Sequence, residues 1–322
     1  MTPLEKVTWL QPVKNAAPFL RETLESLVHQ TYPEAEVLAW DNGSTDSTVT
    51  ILQEYVPRLL PGRIITDRPQ ETLGASLALM VEEAETAWLA RIDGDDVCKP
   101  ERLSKQMALL NKHPDWVGCG SQATTIDPLG VQGWSYKKSL DPAESRWAMF
   151  YTNPFVHPTM VFKRSAALEA GNYKPMPMGQ DYDFWYRLTN VGKIGNHPES
   201  LLLYRIHPQS ISSQNRRDWK PLHRQLIQQY HDLLFPGISL PDIERVWEQL
   251  SSLGSKPGLS VELGDTLLAM AEAASLHPVW SDTRFRSLKL FREDYHRITP
   301  QTPHTMAVRA KLWMESFPGF TS

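Results

Sequence analysis

The sequence predicts an α/β protein with a mixed, mainly parallel sheet flanked by helices and a helical C-terminal extension. Three observations carry that expectation. Short apolar runs alternate with helical apolar spacing, several of the runs end in acids, and the last third turns wholly helical. Val7 to Val13 is a β-prone run, and Leu20, Leu24, Leu27 and Val28 follow at the spacing of a buried helix face. Glu36 to Trp40 reads as a second strand, and Ser44 or Asp46 can cap a helix with Val49, Leu52 and Val56 inside. Ile64 and Ile65 mark a third strand, Leu77 to Ala87 a helix, and Trp88 to Ile92 a fourth strand. Pro100 then opens a helix bearing Leu103, Met107 and Leu110. Strands that alternate with helices of this length build a parallel sheet covered on both faces. Ligands of such sheets bind beyond the carboxyl ends of the strands. The stretches LAWDNGS and ARIDGDD both bring acids to that edge.

From Val117 to about Ile211 the texture is mixed, with strand-like pieces at Thr159–Phe162 and Leu201–Tyr204. Beyond Trp219, helical spacing covers Leu222–Leu234, Ile243–Leu253, Val261–Ala274 and Met306–Phe317. The expected organisation is therefore a catalytic domain over 1–214 and a helical region over 215–322, with the SSQNRRD stretch as linker. Within the first, 1–116 would form a ligand-binding half and 117–214 a half that carries the chemistry.

Composition narrows the classes. A hydrophobic fraction of 41% with 22% charged residues is that of a globular protein. A net charge of −4 argues against a nucleic-acid partner. Two cysteines make no disulfide framework, and no Cys/His cluster points to zinc. The N-terminal stretch lacks the pattern of a signal peptide, and no window is apolar enough to span a bilayer. The expectation is a cytoplasmic protein. Peripheral contact at the inner face of the membrane stays open, because Trp313, Phe317 and Phe320 lie beside Arg309 and Lys311.

Three clusters carry chemistry. Asp93-Gly94-Asp95-Asp96 sets three carboxylates around a glycine turn, a donor set suited to Mg²⁺ or Mn²⁺ with a diphosphate, although a solvated loop has the same look. Gln180-Asp181-Tyr182-Asp183-Phe184-Trp185 starts a helical pattern. Asp181 there is either a charge match for the helix N-terminus or a general base desolvated by aromatics. Arg205 and His207 leave a strand-like run together and could meet a phosphate or a metal; a lone histidine there could equally be a structural hydrogen-bonder. Of the eleven tryptophans, Trp185 is the candidate for stacking on a bound ligand because it lies near Asp181.

Taken in order, VTWLQPVKNAAPFLRETLESLVHQTYPEAEVLAWDNGSTDST, ARIDGDDVCKPERL, NPFVHPTMVFKRSAALEAGNYKP and GQDYDFWYRLTNVGKIGNHPESLLLYRIHPQSIS resemble the inverting family 2 glycosyltransferases of GT-A fold, in their non-processive bacterial form. The resemblance spans about residues 5 to 214. It implies a nucleotide-diphosphate-sugar donor, with uridine the favoured base, and a glycan, lipid-linked or protein acceptor in surface polysaccharide or glycoconjugate synthesis. Pro12, Val13, Asn15, Asp41 and Asn42 would then face the base and ribose. Asp93 and Asp95 would form the family's DXD pair, Asp93 toward the ribose and Asp95 on the metal. Asp96 follows as the extra acid. Asp181 would be the catalytic base, and Arg205 and His207 would lie near donor and metal.

Several positions depart from the family pattern. Asn42 stands where a second acid is usual, Gln180 replaces a glutamate, and Lys14 replaces a tyrosine. The segment GASLALMVEEAETAW lacks the polar residues often found before the DXD. Processive relatives carry QxxRW, but Ala143 precedes Arg146-Trp147 where glutamine is required, so one sugar per encounter is expected and Trp147 reads as a core aromatic. Two other classes compete. A sugar nucleotidyltransferase would need a glycine-rich basic loop, which QPVKNAAPF is not. A non-catalytic glycan-binding relative would draw support from Asn42 and Gln180 alone.

Overall fold

In the computed structural model, residues 4–149 and 152–210 are described, with 222 and 225–229 beyond them. The chain divides into two compact units, Met1–Ser145 with Asn153–Lys220, and Arg146–Thr152 with Pro221–Ser322. Everything below concerns the first. The expected helices beyond 229, and the side chain of Trp147, lie outside the described residues.

The strands are β1 (Val7–Val13), β2 (Ala35–Asp41), β3 (Gly62–Ile65), β4 (Trp88–Arg91), β5 (Val97–Cys98), β6 (Trp116–Ile126), β7 (Gln132–Tyr136), β8 (Val161–Lys163) and β9 (Lys193–Arg205). They form one sheet ordered β3-β2-β1-β4-β8-β6-β9-β5, with β7 beside β6. Strands β3, β2, β1 and β4 are mutually parallel, β8 is antiparallel to β4 and β6, and β6 runs parallel to β9. The sheet is thus mixed, parallel through its N-terminal half. Strand β1 is buried along its whole length, as a central strand covered on both faces must be.

The helices are α1 (Ala17–Val28), α2 (Thr48–Tyr55), α3 (Leu73–Glu83), α4 (Arg102–Lys112), α5 (Pro142–Ala148), α6 (Arg164–Glu169) and α7 (Gln180–Val191). Pro18 in the first turn starts α1, where a missing N–H is harmless, and Leu20, Leu24 and Leu27 face the core. Helix α3 begins four residues before the apolar pattern does, because Thr72 Oγ1 accepts the Ala75 N–H and caps it. Of the expected inner face of α2, Leu52 and Val56 are buried and only Val49 is corrected. Thr48, Ile51, Leu52 and Tyr55 are buried, while Val49 is half-exposed. Asp46 accepts from the N–H and hydroxyl of Thr48, and this sets the helix phase.

Register then assembles the site edge. Val13 pairs with Asp41 and Leu10 with Arg91, so the loops after β1, β2 and β4 leave the sheet side by side. Val97 pairs with Leu203, which returns the end of β9 to the acidic turn.

Candidate functional site

The loops after β1 and β2 are tied together before any ligand arrives. Asn15 sits at φ 49, a left-handed conformation that asparagine tolerates. Its Oδ1 accepts the Thr45 N–H at 2.8 Å, and its own N–H donates to Ser44 Oγ at 2.9 Å. Pro12 and Val13 are buried beneath this crossing. Asp41, buried, spends both oxygens inside its own turn, accepting from the Gly43 and Ser44 N–H groups and the Ser44 hydroxyl. Its carboxylate shapes the loop, and Gly43 at φ 77 makes the turn possible. Asn42 is half-exposed, and its Oδ1 accepts the Gln70 N–H at 3.0 Å and the Ser76 hydroxyl at 2.9 Å. These two donors fix the amide orientation, so the Asn42 oxygen is engaged within the protein and its N–H₂ can act only as a donor.

The acidic turn after β4 packs directly on this loop. A Cβ on Gly94 would lie 3.0 Å from Val13 Cγ1 and 3.1 Å from Ala16 Cβ, so the turn approaches β1 as closely as only glycine allows. The three acids have three fates. Asp93 is partly exposed and ion-paired with Arg91. Asp95 is partly exposed, and its Oδ2 lies 2.8 Å from His207 Nε2. Burial, then the Asp93 charge, push the Asp95 carboxyl above its usual range, against the pull of His207. Asp96 is buried, accepts the Arg205 backbone N–H at 2.8 Å, and leaves Oδ2 without a protein partner. Burial and its two acidic neighbours drive its carboxyl well up.

Arg205 does not reach a donor, contrary to expectation. Its Nε donates to Asp95 O at 2.8 Å, one Nη to Asp127 O at 3.0 Å, and the other to Glu22, with its guanidinium over the Phe19 ring. A buried guanidinium must satisfy its donors, and here two backbone carbonyls and the Glu22 carboxylate do so. It braces the acidic turn. His207, by contrast, does come to Asp95.

No group of three or more His, Cys, Asp or Glu suited to a metal occurs among the described residues. The pair Asp95–His207 still fits a cation bound partly by its substrate. Two ligands at about 2.1 Å in adjacent octahedral positions stand about 3 Å apart, close to the 2.8 Å observed. Carboxylate suits both Mn²⁺ and Mg²⁺, and an imidazole beside it favours the softer Mn²⁺ over Mg²⁺.

Asp181 stands at the first turn of α7, which Gly179 at φ 72 starts abruptly. Its Oδ2 accepts from Asn153 Nδ2 at 2.8 Å. Burial raises the carboxyl above the ordinary range, opposed by the N–H groups of the helix start, by Asn153 and by the Arg91 charge. Asp183, two residues on, is instead a structural ion pair with Lys174 and Arg187.

Trp185 is a correction. It is 0% exposed and packs among Phe155, His157, Phe162, Tyr173 and Phe184, so it cannot touch an acceptor. As a residue of the amphipathic α7, it faces the core.

Three residues about these acids escaped the sequence reading. Arg91, fully buried, donates to Leu10 O at 3.2 Å, to Ile92 O at 2.6 Å and to Asp93, so it locks the ends of two strands to the first acid. Its Nε donates to His157 Nε2 at 3.2 Å. Burial, then the Arg91 charge, hold His157 well below its usual range and neutral. Asn153 accepts the Phe155 N–H through Oδ1, which turns its N–H₂ onto Asp181. The one available signal for Arg91 was an arginine ending a buried apolar strand. Asn153 and His157 lay inside NPFVHPTM, with no local pattern to give them roles.

A family model described as glycosyl transferase family 2 matches residues 8–170. The amylovoran biosynthesis glycosyltransferase AmsE of Erwinia amylovora is 28% identical over 201 residues, covering 62% of this chain and 74% of AmsE. Among solved structures, S. aureus TarS 1-349 in complex with UDP-GlcNAc aligns at a TM-score of 0.57 and 15% identity, covering 96% of this chain and 89% of that one. The mannosyltransferase PcManGT from Pyrobaculum calidifontis, in complex with GDP-Man and Mn²⁺, aligns at 0.54 and 15% identity, covering 98% and 89%. At such identities the structural likeness is one of fold.

Proposed function

The chain belongs to glycosyltransferase family 2 and is a glycosyltransferase; from that premise we propose that it transfers one sugar from a nucleotide-diphosphate sugar to an acceptor hydroxyl with inversion. The carrying observation is Asp181, a carboxylate raised by burial, still partly exposed and aimed by Asn153. A general base needs a proton affinity near the working pH and access to the hydroxyl. Asp181 takes the acceptor proton as the oxygen attacks the anomeric carbon. The bond to the diphosphate breaks on the opposite face, the diphosphate leaves as an anion, and the sugar ends inverted and joined to the acceptor. No second carboxylic acid is needed, because the diphosphate leaves unprotonated.

Asp95 and His207 would hold Mn²⁺ or Mg²⁺, which supplies charge stabilisation to the departing diphosphate when bound. Asp93, steadied by Arg91, would meet the ribose, and Pro12, Val13, Asn15 and Asn42 would border the base. Asp41 supports that border by shaping the loop. The donor complexes of TarS with UDP-GlcNAc and of PcManGT with GDP-Man and Mn²⁺ support a nucleotide-sugar donor and a divalent ion here. A UDP-linked sugar is the favoured donor. The name of AmsE supports an acceptor in polysaccharide synthesis. No helix among the described residues is long and apolar enough to cross a membrane.

The experiment is a panel of UDP-, GDP- and dTDP-sugars, each with and without Mn²⁺, scored by the rise in melting temperature. The expected result is metal-dependent stabilisation by at least one UDP-sugar. Stabilisation by none of the panel would overturn the donor assignment.

A further inference from the structure

With Trp185 buried, an acceptor must find its apolar contact elsewhere. Strand β7 bonds to β6 alone among the described strands, continuing along it where β8 stops. Trp134 and Tyr136 are two residues apart on β7 and therefore share one face. Their ring centroids lie 4.4 Å apart, edge to face, and Trp134 remains 56% exposed. Tyr136 meets Tyr204 of β9 at 5.9 Å and carries Lys138 Nζ 5.5 Å from its ring centre. Lys138 Nζ in turn donates to Asn153 O at 2.7 Å, and Asn153 holds Asp181. Contacts thus run unbroken from an open aromatic face to the carboxylate assigned as base.

We propose that Trp134 and Tyr136 form the acceptor platform, on which a pyranose ring of a glycan stacks by its C–H face while its hydroxyl reaches Asp181. The proposal rests on glycosyl transfer as read above and adds where and by what chemistry the acceptor is held. Tyrosine and tryptophan offer wide, rigid, amphipathic contact at little entropy cost. Beside these rings stand a phenol, an ammonium and an amide, which suits a ligand that alternates C–H faces with hydroxyls. A lipid surface would call for unbroken apolar area instead. Leu129 and Val131, 88% and 63% exposed at the hairpin turn, lie outside the line to Asp181 and serve as the control.

The test compares wild type with Trp134→Ala, Trp134→Phe, Tyr136→Ala and the double variant Leu129→Ser/Val131→Ser. Each is applied to an array of bacterial surface oligosaccharides of one to six sugars. On the same proteins, the rise in melting temperature with UDP-sugars and Mn²⁺ reports donor binding separately. Trp134 is exposed, so its truncation leaves the fold intact. The expected result is wild-type binding to a subset of the longer glycans, weakened about tenfold by Trp134→Ala or Tyr136→Ala. Trp134→Phe and the hairpin control should bind like wild type, and donor stabilisation should be equal in all. The platform is overturned if Trp134→Ala binds like wild type, or if wild type binds no glycan on the array. It is also overturned if Trp134→Ala instead abolishes self-association in sedimentation or adsorption to phosphatidylglycerol vesicles. Loss of donor stabilisation in every protein would defeat the donor reading alone, because the array result stands apart from it.

Discussion

Replacing Asp181 with asparagine removes one charge and almost no volume. The Asn153 N–H₂ can still donate to the new side chain's oxygen, as it does to Asp181 Oδ2 at 2.8 Å. Structure should therefore survive, and two consequences separate. General-base catalysis contributes about 10²–10⁴ in rate, and is strongest when the base titrates near the working pH. Burial moves Asp181 toward that range, so the loss should fall in the upper half, about 10³–10⁴, or roughly 4–5 kcal/mol of transition-state stabilisation. The second consequence has the opposite sign. A carboxyl whose folded pKa lies above its unfolded value penalises the folded state at pH above the folded pKa, and the penalty fades as pH falls through it. Asparagine carries no such penalty. The variant should melt higher than wild type at pH 8, and the gap should close toward pH 4. Single-turnover transfer and melting curves at the two pH values measure both. Wild-type turnover by the variant, or a melting point below wild type at pH 8, would refute the reasoning.

Removing the neighbour tests the same carboxylate from outside. Asn153→Ala withdraws an N–H that favours the charged form, so the acid limb of the kcat/KM profile should move to higher pH; an unmoved limb excludes Asn153 as a positioning residue. Asp95→Ala should abolish the Mn²⁺-dependent part of donor stabilisation in thermal shift, whereas unchanged metal dependence would remove Asp95 from the ligand set. Trp185→Ala should lose about 3–5 kcal/mol in urea unfolding, as truncation of a core aromatic does. Trp185→Phe should lose less than the alanine variant, because the smaller ring leaves a smaller cavity and Nε1 has no partner to lose, and acceptor KM should not change in Trp185→Phe.

What the sequence by itself determined is whatever depends on short-range periodicity and order along the chain. Alternating apolar runs set the β1–α1–β2–α2–β3–α3–β4 succession, and acids at strand ends marked the sheet edge where the site lies. The motifs in series brought the family into view, with Asp93, Asp95 and Asp181 as the acids proposed for its chemistry. The second half of the sheet was less legible. Strand β6, 11 residues long, is almost wholly buried without alternation, and its partners β8 and β9 lie far along the chain, so only pairing identifies it. Tertiary structure alone decided which polar groups are free to act. Arg205 and Trp185 were chosen for what their side chains can do, yet the fold surrounds one with carbonyls and the Glu22 carboxylate and the other with aromatic rings. Asn42 stands just past the end of β2, but only the donors from Gln70 and Ser76 reveal that its oxygen is engaged within the protein. Arg91, Asn153 and the Trp134–Tyr136 face drew no attention in the chain, because their meaning comes from neighbours brought close only by folding. A residue's type states which bonds it can make, and the packing around it determines which remain to be made.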